Sequence, residues 1–261
     1  MKPVLKWVGG KTQILDRILS EFPVEITGDY YEPFVGGASV LLAVLPRIKG
    51  RVYASDVNPH LVELYLQIQR DPEGLIKELG ELEKDQTEQT YYMRRDEFNK
   101  SPSPSLLVYL NKVGFRGLYR EGPRGFNVPY GHPRVPVKLC DPENVRDVSR
   151  AVQRVEFRHE GYEKALERAT PADFVYMDPP YVPETRQSFT GYVRGEFDHE
   201  AFFARVRALQ CLWVMSNSGA PLVRSEFPGA QDVDARRSIH SKNPGTRTIE
   251  VVISNHVHTQ F

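Results

Sequence analysis

Residues Asp29–Leu45 read DYYEPFVGGASVLLAVL. An aromatic and apolar run, Asp29 to Val35, meets the pair Gly36-Gly37, and a helix-type stretch, Ala38 to Leu45, starts at once behind it. Aromatic residues favour strands, and glycines allow a tight turn in which backbone can approach a ligand. The same pattern recurs toward both ends of the chain. Arg51 to Ser55 ends at Asp56, Val155 to Phe157 is a brief β-type run, and Asp173 to Met177 ends at Asp178. Leu212 to Met215 ends at Ser216-Asn217, and Ile249 to Ile253 is the last strand candidate. Helical patterns such as His199 to Leu209 lie between them. Strands alternating with helices predict an α/β fold built on a mostly parallel sheet.

The middle of the chain breaks this pattern. From Pro59 to about Arg95 it is helical and polar, with Asp71-Pro72 as a break, and Ser101-Pro102-Ser103-Pro104 is a short linker or helix entry. Lys112 to Lys138 is rich in Gly, Pro, Arg and aromatics and carries six Lys or Arg against one acid, Glu121. These features predict an α/β domain over 1–58 and 146–261, split by an inserted lobe over 59–145.

The chain has 261 residues, 40% of them hydrophobic and 26% charged, so a sizeable core is available and wholesale disorder is disfavoured. Lys plus Arg (34) balances Asp plus Glu (34), which argues against a globally basic nucleic-acid binder but leaves room for a local basic patch. Cys140 and Cys211 are too few for a disulfide framework or a Cys-rich zinc site. His240, His256 and His258 lack the carboxylate or Cys pattern of a metal site, so no metal is expected. The opening stretch MKPVLKWVGGKTQILDRI has no long apolar run, and nothing later is long enough to span a bilayer. The expectation is a soluble, cytoplasmic protein without a membrane partner. Gly9-Gly10-Lys11-Thr12 imitates the end of a phosphate-binding P-loop, but Leu5 stands where the first Gly is required.

Two constellations carry chemistry. Gly36-Gly37 after a first strand, with Asp56 about twenty residues on, suits a nucleoside-containing cofactor whose ribose hydroxyls an acid can hold. No dinucleotide G-x-G-x-x-G is present, so an adenosyl group without phosphates fits better; a plain tight turn with a surface Asp has the same spacing. The second constellation is Asp178-Pro179-Pro180-Tyr181, directly after Phe174 to Met177. Neither proline donates an N–H, so the strand must stop there and project from its C-terminal end, the edge where open α/β sheets bind ligands. A carboxylate, fixed carbonyls and an aromatic face suit the holding of a planar amino group.

Lys6-Trp7-Val8-Gly9-Gly10-Lys11, Glu32 to Gly37, Asp56 with Asn58, and Asp178 to Tyr181 occur in this order. So do Tyr109 to Lys112, Gly117 to Arg120, Phe126 to Gly131, Ser188 to Thr190, Ser216-Asn217, Arg237 to Ile239 and Gly245 to Arg247. On these motifs the chain resembles the Dam-type, D12-class DNA adenine-N6 methyltransferases over nearly its whole length. The resemblance implies a Rossmann-like S-adenosylmethionine (SAM)-dependent methyltransferase sheet with an inserted helical target-recognition domain bearing a β-hairpin. It implies SAM as methyl donor, with Trp7, Lys11, Glu32, Phe34, Gly36, Gly37, Asp56, Phe157 and Asp178 around it. Asp178, Pro179, Pro180 and Tyr181 carry over as the catalytic motif.

Double-stranded DNA is the implied partner, with Phe115, Arg116, Leu118, Arg120, Asn127 and Pro129 in the recognition hairpin and Arg237 and Arg247 on phosphates. Arg120 is the best candidate for a base contact, since arginine bridges guanine O6 and N7. The hairpin departs from the usual GATC-reading pattern: Arg116 stands in place of an Asn, and Arg120 to Asn127 is one residue shorter and lacks a second Asn. GATC leads as the target, with CATG next. N4-cytosine or RNA adenine methylation, or a catalytically idle DNA-binding module, are the competing readings. C5-cytosine methylation is disfavoured because neither cysteine follows a proline. A monomer or weak dimer is expected, and a separate cognate restriction endonuclease is compatible with the resemblance.

Overall fold

A computed structural model describes residues 1–183, 197–236 and 247–256, without the side chains of 235, 236, 247 and 248. In chain order the elements are α1 (Leu15–Leu19), β1 (Tyr30–Glu32), α2 (Ser39–Val44), β2 (Val52–Asp56), α3 (Pro59–Arg70), α4 (Pro72–Glu83), α5 (Glu88–Lys100) and α6 (Pro104–Val113). Then follow β3 (Glu121–Gly122), β4 (Gly125–Phe126), α7 (Pro142–Val152), β5 (Val155–His159), α8 (Tyr162–Arg168) and β6 (Phe174–Met177). The last are α9 (His199–Ala208), β7 (Leu212–Ser218), α10 (Pro221–Glu226), β8 (Gln231–Arg236) and β9 (Arg247–Ser254).

Seven strands form one sheet in the order β5-β2-β1-β6-β7-β9-β8. The first five are parallel, and β9 runs antiparallel to both β7 and β8. The result is a mixed, mostly parallel sheet, as the alternation of strands and helices predicts. The two-residue periodicity of the strands divides the side chains between two faces. Tyr30, Phe174, Tyr176 and Val214 join the core that includes α2, α3, α7 and the middle helices. Tyr31, Val175, Met177, Trp213 and Met215 join a second core with α8, α9 and α10. Strands buried on both faces read as near-continuous apolar runs, which is why DFVYM and LWVM stand out in the sequence.

The helices of the middle segment start where capping side chains permit. Asn58, Asp71, Thr87 and Ser103 accept hydrogen bonds from the first-turn amides of α3, α4, α5 and α6, each contributing about 1 kcal/mol. Buried α6 runs through this segment, with Leu107, Val108, Tyr109 and Leu110 fully covered. The helices α3 and α7 belong to the sheet: α3 packs on β2 and β5, and α7 on α2 and α3. The expected boundary at 145/146 falls inside α7, and the segment that leaves the sheet is 71–141. One apolar core nonetheless runs from Ile18 and Tyr30 through Leu79, Tyr91 and Phe98. Among the described residues, no helix is long and apolar enough to cross a membrane.

Candidate active site

The chain leaves β1 for β2 and β5 on one side, then returns to β6 on the other. Two adjacent parallel strands whose connections diverge leave a crevice beyond their C-terminal ends. The Pro33–Gly37 loop follows β1, and Asp178 to Tyr181 follows β6, so both sequence motifs open into this crevice. Because β9 is antiparallel, its early residue Glu250 pairs with Ser218 at the C-terminal end of β7 and reaches the same edge.

Asp178 is held from two sides. The ammonium of buried Lys11 lies 2.7 Å from its Oδ2, and the Ser216 hydroxyl donates to its Oδ1 at 2.9 Å. Tyr176 Oη is 3.0 Å from Ser216 Oγ, which carries the network into the core. Burial raises the Asp178 pKa, and the Lys11 charge opposes that rise. Lys11 also donates to the Gly9 carbonyl and sits 4.8 Å from the centre of the Tyr181 ring, a cation–π contact. The Tyr181 hydroxyl donates to Glu250 Oε2 at 2.8 Å. Val182 N–H donates to Asn217 Oδ1 at 3.1 Å, and Ser218 Oγ donates to the Val182 carbonyl at 2.6 Å. Glu32 is buried and accepts from the Tyr30 hydroxyl at 2.6 Å. Burial pushes its pKa up to about 8, with the Asp178 charge adding to the rise, so Glu32 is protonated at neutral pH.

The glycine pair is shaped by Trp7. Gly36 has φ +46°, and a Cβ there would stand 2.9 Å from Trp7 Cδ1; one on Gly37 would stand 2.9 Å from Trp7 Cβ. The Gly36 amide donates to Asp56 Oδ2 at 3.0 Å, and the Asn58 amide to Oδ1 at 2.9 Å. Burial raises the Asp56 pKa to about 6 against these bonds. The Val57 amide also favours the charged carboxylate, and since a carboxylate offers about four lone-pair sites, an acceptor direction is left for a hydroxyl of a ligand. A half-buried acid, an adjacent glycine turn and an indole fit an adenosyl group. Phe157 is buried in β5 and stacks on Tyr65 at 4.8 Å, while the Tyr65 hydroxyl donates to the Gly36 carbonyl at 2.7 Å. Phe157 therefore supports the glycine loop through Tyr65. Phe34 turns to the other face of the sheet, against Tyr162 (5.7 Å) and Phe202 (5.6 Å).

The basic stretch builds a short hairpin. Arg120 is exposed, with Nε donating to Asn127 Oδ1 at 2.7 Å and a terminal guanidinium nitrogen donating to the Asn127 carbonyl at 3.2 Å. Phe115 is 39% exposed, with the Arg116 guanidinium 5.0 Å from its ring centre, and its amide donates to the Pro129 carbonyl. Pro129 is exposed, whereas Leu118 packs partly buried against the main core. Arg237 lies outside the described residues, as does the side chain of Arg247.

Several contributors carry no assigned role in the sequence reading. Asn111 on α6 bonds both the amide and the carbonyl of Lys6 at 3.0 Å, and the Gly117 carbonyl at 3.0 Å. It stitches the Lys6-Trp7 segment to the stem of the hairpin. Tyr119 continues that link, its ring 5.4 Å from Trp7. Glu250 has one visible signal, a lone acid in the otherwise apolar stretch Ile249 to Ile253.

The family model for D12 class N6 adenine-specific DNA methyltransferases matches residues 7–238. Type II methyltransferase M.MjaIII of Methanocaldococcus jannaschii is 35% identical over 246 residues, covering 86% of this chain and 84% of its own length. Type II methyltransferase M1.LlaDCHI of Lactococcus lactis is 30% identical over 281 residues, covering 98% and 96%. DNA adenine methylase of Escherichia coli K12 is 35% identical over 262 residues, covering 93% and 90%. With the crevice, the glycine loop and the Asp-Pro-Pro-Tyr strand end in place, the chain belongs to the D12 class of N6 adenine-specific DNA methyltransferases.

Proposed function

We propose that this methyltransferase acts on adenine in a short palindromic duplex site, GATC first and CATG next, and that the target base leaves the helix to reach Asp178. S-adenosyl-L-methionine supplies the activated methyl group. The observation that carries the residue assignment is the Asp178 carboxylate at the end of β6, fixed by Lys11 and Ser216 and flanked by the Tyr181 ring. The adenine amine is a weak nucleophile, because its lone pair is delocalised into the ring. Asp178 and the Pro179 carbonyl accept its two N–H bonds, which favours a pyramidal nitrogen with its lone pair directed outward. Pro180 keeps the turn rigid, and Tyr181 stacks on the base. Positioning supplies most of the acceleration. Extrusion of the base costs a few kcal/mol, offset by stacking and by contacts of the hairpin.

Trp7, Gly36, Gly37 and Asp56 hold the adenosyl part, and Lys11 and Glu32 line the path to Asp178. Phe34 and Phe157 act from behind, by packing. The inserted segment presents Phe115, Arg116, Leu118, Arg120, Asn127 and Pro129 to the duplex, with Arg120 on a guanine edge, and Arg237 and Arg247 meet phosphates. The protein works as a monomer or weak dimer inside the cell, and any cognate endonuclease is a separate chain. The test is transfer from labelled SAM to unmethylated genomic DNA, with modified bases mapped by long-read sequencing. N6-methyladenine in one short palindrome is expected. Label spread over unrelated adenines, or confined to a non-palindromic site, would overturn the target assignment.

A further inference from the structure

We propose that Glu250 is a positioning residue for methyl transfer: it fixes the ring of Tyr181 through a hydrogen bond from the Tyr181 hydroxyl, and acts on the reaction only through that ring. The inference rests on the reading of Tyr181 as the stacking surface for the target base.

Tyr181 sits four residues past the end of β6, after two prolines that give it no ladder bond of their own. Its backbone direction is set by the next residue, since Val182 is tied to Asn217 and Ser218. The ring still has torsional freedom about its side chain. Two contacts remove it. Lys11 lies against the ring face at 4.8 Å, and Glu250 Oε2 accepts from the hydroxyl at 2.8 Å. Glu250 is itself placed by ladder pairing, opposite Ser218 on β7 and Val233 on β8. A rigid strand therefore holds the far end of the ring while the prolines hold the near end. Burial and the facing carboxylates Asp178 and Glu250 raise the pKa of the Tyr181 hydroxyl, so it remains a donor. A ring whose plane is set before the base arrives costs no ordering at that moment.

The charges facing Glu250 suggest the rival role, plain electrostatics. Asp178 is near enough to feel its charge, and Lys11 neutralises one of the two carboxylates. The substitutions separate the two roles. Glu250→Gln keeps an acceptor for the hydroxyl and removes the charge, Glu250→Ala removes both, and Tyr181→Phe removes the donor alone. Single-turnover methyl transfer into the enzyme's own mapped DNA site is measured for each, with SAM Kd and a thermal melt. Loss of a hydrogen bond to a charged group predicts a rate about tenfold lower for Glu250→Ala and for Tyr181→Phe. The double variant should be no slower than either single one, because both remove the same contact. Glu250→Gln should recover most of the rate, and SAM Kd should stay near the parental value throughout. A parental rate in Glu250→Ala, additive losses in the double variant, or a Glu250→Gln protein as slow as Glu250→Ala each overturns the inference. Tyr181→Ala is the separate control for the underlying reading. If it transfers at the parental rate, the stacking role of Tyr181 falls and this inference with it; if it is slow while the Glu250 variants are not, only the inference falls.

Discussion

The crevice beyond β1 and β6 and the β3–β4 hairpin are held to different degrees. Around Asp178, side chains from the N-terminal segment, β6, β7 and β9 converge, and its two oxygens are each engaged from a different element. The hairpin has two residues per strand, and Arg120 finds its partner, Asn127, within the hairpin itself. The crevice is fixed by long-range contacts throughout, whereas in the hairpin β4 is tied to α5 through Asn99 and the exposed Arg120 is held locally. Chemistry needs the first, because a sub-ångström displacement of an acceptor degrades transfer. The role proposed for the hairpin tolerates the second, because exposed side chains such as Arg120 can change without disturbing the crevice.

The sharpest test of that division is Asp178→Ala. Methyl transfer should fall by about 10²–10³-fold, the scale of losing one preorganised polar group from an active site. DNA affinity in a gel-shift titration should barely change, and equal losses in both would break the comparison. Next comes Asp56→Ala, which removes the acceptor proposed for the ribose hydroxyls. SAM Kd by calorimetry should weaken by about 10–100-fold, the worth of hydrogen bonds to a charged group. With the parental protein, SAM affinity should also fall as pH drops through about 6, where Asp56 takes up a proton. Arg120→Ala should leave SAM Kd untouched and cost about 1–3 kcal/mol of discrimination at a single base pair. Long-read mapping would show the methylated motif relaxed at that position alone.

The smallest effect concerns Glu32. Its folded-state pKa of about 8 lies above the usual carboxyl value of 4.5. The folded state therefore holds its proton longer than the unfolded chain, and stability is lost as pH rises from about 4.5 to about 8. Glu32→Gln keeps an acceptor for Tyr30 and cannot ionise. Its melting temperature should rise relative to the parent as pH climbs through that window and level off above it.

Much of this was legible in the sequence, for reasons that differ by element. The strand β6 and the first half of β7 read clearly because they form apolar runs in the buried middle of the sheet, and β1 and β2 because aromatic and β-branched residues run into a Gly pair or an Asp. The strand β7 extends past Met215, since Ser216, Asn217 and Ser218 are buried polar residues whose partners lie on other elements. The strand β8, QDVDAR, is polar and lies at the sheet edge, so only pairing with β9 reveals it. Asp178 and Asp56 stand out in the sequence because one follows β6 directly and the other ends β2. The packing of Phe34 has no local signal, because its ring neighbours Tyr162 and Phe202 come from α8 and α9, far along the chain. Ser216, Asn111 and Glu250 act on partners 38, 105 and 69 residues away, a relation no local pattern encodes.

The strand order also governs how the chain comes together in time. The strand β1 is flanked by β2, made soon after it, and by β6, which lies more than a hundred residues downstream. During synthesis the helices α4 to α6 can close on one another early, since their contacts are local, whereas the middle of the sheet waits for β6 and its outer half for β9. Non-local parallel pairing is slow. A nascent chain will therefore carry a formed α4–α6 helical layer beside an incomplete, apolar half-sheet, and truncation before β6 should give a product prone to aggregation rather than a smaller enzyme.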